Sequence, residues 1–92
     1  MDHFEEVQKG YDAREVLDHP AYKKAWAEIL TGINAAMANS AMGDEKTHNK
    51  LVIALQIANK LQKTLENAIT TGKMAEIQME EQSKLKRILN RF

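Results

Sequence analysis

Two apolar stripes at helical spacing, only a few residues apart, restrict this chain more than any other feature. In the first, Tyr22, Trp26, Ile29, Ile33, Ala36 and Ser40 follow one another at intervals of 4, 3, 4, 3 and 4. In the second, Leu51, Leu55, Ala58, Gln62, Leu65 and Ile69 repeat the same intervals. Such a rhythm gathers each set on one side of an α-helix. Ala25, Leu30 and Met37 widen the first stripe, and Ala54, Leu61 and Ala68 extend the second. Val52, Ile53 and Ile57 add a second apolar side near the start of the later helix. The spacing predicts helices over about residues 20–41 and 45–71. Between them, Gly43 suits the left-handed position after a helix end, and Asp44 suits the next N-cap. So short a connection makes the two helices antiparallel neighbours, each burying the other's stripe. Gly32, inside the first helix, costs about 1 kcal/mol against Ala and would suit a close helix crossing.

The flanking segments extend an all-α reading. Residues 1–10 show no clear period and end at Gly10, which reads as a flexible arm. Asp12 and Glu15 have the spacing of a capping box and predict a short helix over residues 13–17. Asp18-His19-Pro20 stops it, because the residue before proline avoids the α region, and Pro20 suits the first turn of the next helix. Thr70-Thr71-Gly72-Lys73 reads as another helix end. Beyond it, Met74, Ile77, Leu85, Ile88, Leu89 and Phe92 predict a further helix whose stripe is interrupted by Glu80, Glu81 and Gln82. The expected architecture is one domain, residues 1–92, with a helical hairpin core at 13–72 and a C-terminal helix at 73–92, docked or projecting.

Composition removes several classes of function. The 92 residues contain no cysteine, which excludes disulfides, thiolate metal sites and a cysteine nucleophile. The opening Met1-Asp2-His3-Phe4-Glu5-Glu6 is acidic and lacks the apolar run of a secretory signal. The longest uncharged stretch, Ile29 to Gly43, is too polar to span a bilayer. The net charge is zero, but residues 1–46 carry five basic and nine acidic side chains and residues 47–92 carry eight and four. An acidic half and a basic half can attract each other within one chain or between copies.

No constellation points to catalysis, a cofactor or a small-molecule substrate. His3, His19 and His48 stand without the spacing of a zinc helix. The carboxylate pairs Glu5/Glu6, Asp44/Glu45 and Glu80/Glu81 are adjacent in sequence, and neighbours on a helix point in different directions. Gly10, Gly32, Gly43 and Gly72 are isolated, so no glycine-rich loop can cradle a phosphate. Tyr22 and Trp26 lie on the main stripe and are read as core. Lys84, Lys86, Arg87 and Arg91 form the one suggestive charged group. They are candidate phosphate contacts, although cations also suit a helix C-terminus because of the macrodipole. Leu85, Ile88, Leu89 and Phe92 are candidate partner-binding residues.

Two segments carry a resemblance. The run from Ala13 through Arg14-Glu15-Val16-Leu17, the His19-Pro20 step and on to Trp26 resembles the opening of small helical proteins of tailed bacteriophages. The helix from Leu51 to Gly72, closing on Leu65-Glu66-Asn67-Ala68-Ile69 and Gly72-Lys73, is similar to the close of the same proteins. Together these cover about residues 13–76. Such proteins are encoded among genes for DNA packaging and head assembly. The resemblance implies a virion or head-assembly context, in the host cytoplasm or the virion, and assigns no functional residue. The expectation is a non-enzymatic helical protein that self-associates or docks on a larger assembly. A DNA-packaging role of small-terminase type, binding nucleic acid, is the alternative, and no membrane association is expected.

Overall fold

The computed structural model describes residues 3–91. They form three helices, α1 (His3–Asp18), α2 (Pro20–Asn39) and α3 (Glu45–Asn90), with no strand among the described residues. The fold is all-α, as the periodicity predicts. Two compact units emerge: Leu17–Thr64, and Met1–Val16 with Leu65–Phe92. α3 contributes its first part to one and its second part to the other.

In the unit Leu17–Thr64, α2 lies antiparallel to the first part of α3. Its start is set by His19, whose backbone is extended and whose Nδ1 accepts a hydrogen bond from the Ala21 N–H at 3.1 Å. Pro20 follows at the first helical position, where its missing N–H is harmless. The side chains turned toward α3 are Tyr22, Trp26, Leu30, Ile33, Met37 and Ser40, all half-buried. Ile29 and Ala36, expected on that face, are exposed. The buried face is turned by less than one residue step, toward Leu30 and Met37. Opposite them lie Leu51, Ala54, Leu55, Ala58 and Gln62, as the stripe predicts. Gln62 is polar on an apolar face because the Tyr22 hydroxyl donates to its Oε1 at 3.0 Å. Tyr22 and Trp26 stack with ring centroids 6.4 Å apart, a packing role.

Between α2 and α3 the chain makes a tight turn, in which Gly43 takes the expected positive φ as a turn residue rather than directly after the helix end. α2 ends at Asn39, with Ser40 as an extended C-cap. Asp44 N–H bonds back to the Ala41 carbonyl at 3.1 Å, and Gly43 has φ +88°. Positive φ at the third residue of a four-residue turn is what a type II turn requires. Asp44 caps α3 as expected: its Oδ1 accepts from the Thr47 N–H at 3.2 Å and its Oδ2 from the Thr47 hydroxyl at 2.6 Å.

In the other unit, α1 lies antiparallel to the second part of α3, and here the expected boundaries change. Helix α1 starts at His3 and runs through Gly10 and Asp12. Within the described residues, the expected flexible arm is helical, and its first two residues lie outside the description. Asp12 is no N-cap; its Oδ1 accepts from the Gln8 side chain one turn earlier, at 2.9 Å. Gly72 is no C-cap either, since Gly43 is the glycine with positive φ among the described residues. The helix passes through the threonines, and Thr70 returns its hydroxyl to the Glu66 carbonyl at 3.2 Å, a bond within the helix. The expected separate C-terminal helix is therefore the continuation of α3.

The two glycines explain both changes. A Cβ on Gly10 would sit 3.1 Å from the Ala68 carbonyl oxygen and from Gly72 Cα. One on Gly72 would sit 3.0 Å from the Glu6 carbonyl oxygen and from Gly10 Cα. The helices cross backbone to backbone at this point, and Ala13 and Ala75, buried beside it, are small enough to permit it. A close approach of this kind recovers packing that offsets the helical penalty of glycine. At Gly32, where a close crossing would also fit, nothing lies within 4 Å of an added Cβ.

Candidate functional site

The α1–α3 crossing leaves two grooves in its own unit. Beside the glycines, Val7, Tyr11, Arg14, Ile69, Lys73 and Glu76 line a cleft of about 130 Å³. The Tyr11 hydroxyl donates to Glu76 Oε1 at 2.8 Å. That bond and the Glu76 charge hold the Tyr11 pKa above the ordinary tyrosine value. Toward the start of α1, Phe4, Val7, Met79 and Ser83 form a wider groove of about 650 Å³, bordered by Glu76, Glu80, Lys84 and Arg87.

Every described residue from Glu80 onward is exposed. Leu85 is 57%, Ile88 51% and Leu89 63% accessible. Phe92, the fourth candidate partner-binding residue, lies outside the described residues. At about 100° of rotation per residue, Leu85 and Ile88 share one side of α3 and Leu89 stands at its edge. The candidate phosphate-binding residues divide. Lys84, Arg87 and Arg91, at i, i+3 and i+7, share one face, whereas Lys86 points to the other side of the helix. What the sequence joins into one basic cluster is a three-residue face plus one isolated cation.

A Ser–His contact unforeseen in the sequence closes the α2–α3 turn. Ser40 Oγ lies 2.8 Å from His48 Nε2 and donates its own proton to the Met37 carbonyl at 2.9 Å. Its lone pair must then accept from His48, which places the imidazole proton on Nε2. A serine nucleophile needs the reverse, its proton given to the ring. Asp44 is also engaged elsewhere, by Thr47, whose hydrogen bonds hold its pKa below the ordinary carboxylate value. The trio therefore acts as a clasp on the turn. The sequence signal was present, a hydroxyl and an imidazole flanking a glycine turn, but only the turn geometry brings them together.

Among the described residues there is no group of three or more His, Cys, Asp or Glu side chains able to hold a metal ion. No described helix is long and apolar enough to cross a membrane. No protein-family model matches the chain, and no curated protein or solved structure shows significant similarity to it.

What remains is unburied apolar surface. The chain has 7515 Å² of accessible surface. Its unfolded chain would expose about 15,000 Å², at about 1.45 Å² per dalton. Folding hides about half of that, where even a 60-residue domain hides about 60%. Ala13, Ala58 and Ala75 are the buried apolar side chains among the described residues, while Ile53, Ile57, Met74, Ile77 and Leu89 all stand more than half exposed.

Proposed function

We propose that this chain is a non-enzymatic helical interaction protein, which completes its hydrophobic burial by self-association or by docking on a larger assembly. The observation that carries the reading is the pairing of an alanine-sized core with large exposed aliphatic side chains on α3. Extensive exposed apolar surface is a mark of interaction surfaces. The resemblance of residues 13–76 to small tailed-phage proteins supports a virion or head-assembly setting. Light scattering after size exclusion, over a range of concentrations, combined with retention of virion proteins on the immobilised chain, tests it. A defined oligomer or a retained virion protein supports the reading. A monomer at every concentration that retains no virion protein removes it.

The exposed face of Lys84, Arg87 and Arg91 favours a second reading, nucleic-acid binding in DNA packaging. Each phosphate neutralised steepens the dependence of log affinity on log salt by about 0.9 on duplex DNA. Replacing these three residues with Gln should flatten that slope by about three such steps, and Lys86→Gln should change it little. Absence of DNA binding at low salt removes this reading.

A further inference from the structure

The second part of α3 has two opposed faces. Gly72, Ala75, Glu76 and Met79 are turned toward α1 and are buried or half-buried. About 180° away around the helix lie Met74, Ile77, Glu81, Leu85 and Ile88, at intervals of 3, 4, 4 and 3. At about 100° per residue they fall within an arc of about 80°, and all five are exposed. No described residue of its own unit covers this seam. It is apolar except at Glu81, and a single charged residue in an apolar seam restricts how helices can pair across it.

We infer that this seam pairs with the same seam of a second copy, in antiparallel orientation. This rests on the interaction reading above and names its partner. The charge order decides between orientations. From Glu80 onward, Glu80 and Glu81 come first and Lys84, Lys86, Arg87 and Arg91 follow. A parallel pair in register sets Glu81 against Glu81, a like-charge contact in the middle of the seam. An antiparallel pair centred between Gln82 and Ser83 sets Glu81 against Lys84 of the second copy, twice by symmetry. The same register sets Ile77 against Ile88, also twice. A two-fold interface of this kind needs one self-complementary patch and no second surface. The chain stands about 1,500 Å² short of the 60% burial level, and a standard interface, which takes about 800 Å² from each partner, would cover about half of that.

The absence of cysteine makes the test direct. Full-length Ile77→Cys and Ile88→Cys chains are prepared separately, their helicity is checked by circular dichroism, and each is oxidised alone and as a mixture. The expected result is a disulfide-linked dimer from the mixture and little from either chain alone. In parallel, Glu81→Lys and Lys84→Glu should each raise the dimer dissociation constant by about tenfold or more, and the double swap should recover most of the loss. Cross-linking of each cysteine chain with itself overturns the antiparallel pairing. Monomers that never cross-link in any combination overturn self-pairing. A monomer that still retains a virion protein leaves the interaction reading standing, whereas one that retains none removes both.

Discussion

Glycine has opposite value at different positions of this chain, and the difference is testable residue by residue. Gly32→Ala meets open space and should stabilise the chain by about 0.4–1 kcal/mol through helix propensity and the unfolded chain. Gly72→Ala would press a methyl within 3.0 Å of two backbone atoms that cannot rotate away. It should destabilise by about 1–3 kcal/mol, the usual range for overpacking, and chemical denaturation of the two variants should give shifts of opposite sign. Titration also has a residue-level signature. Asp44 is held below its unfolded pKa by Thr47. Its contribution is therefore present above the ordinary carboxylate range and is lost as pH falls through its folded value. Asp44→Asn keeps an N-cap acceptor and should remove that acidic component of the stability–pH profile. Tyr11 is shifted the other way by Glu76. Its contribution is present below the ordinary tyrosine range and is lost as pH rises through the raised value, so Tyr11→Phe should abolish that alkaline loss.

At the scale of elements, α3 passes through Thr70-Thr71-Gly72 without a break. Amide hydrogen exchange should show residues 70–76 protected as helix interior, and a Gly72 cap would instead leave this stretch as two frayed ends. The α2–α3 pairing could be read from the sequence because its signals are local: two stripes of 3.6 periodicity, a glycine at the turn and an Asp at the following N-cap. The α1–α3 pairing could not. It depends on Gly10 meeting Gly72 across 62 positions of chain, and each glycine alone carries the ordinary meaning of a helix end. Spacing offered a clue in Gly10 with Ala13, and in Ala68, Gly72 and Ala75, where small residues three or four apart permit close helix contact. The candidate site was legible to a similar degree. Leu85 and Ile88 share the face their interval predicts, whereas the basic cluster separates, because adjacency in sequence is not adjacency on a helix.

At the scale of the whole molecule, burial is the deciding quantity. Buried side chains in both units are alanine-sized while large aliphatic side chains stand in water, and the proposed self-association would cover part of that surface. The measurement that tests this most directly is light scattering after size exclusion on the full chain, with a Leu85→Glu/Ile88→Glu variant beside it, over a wide concentration range. Under the proposed self-association, the wild-type mass rises above 10.4 kDa to a defined multiple, and a variant of equal helicity remains a monomer. A wild-type chain that stays at 10.4 kDa throughout and retains no protein partner would contradict it.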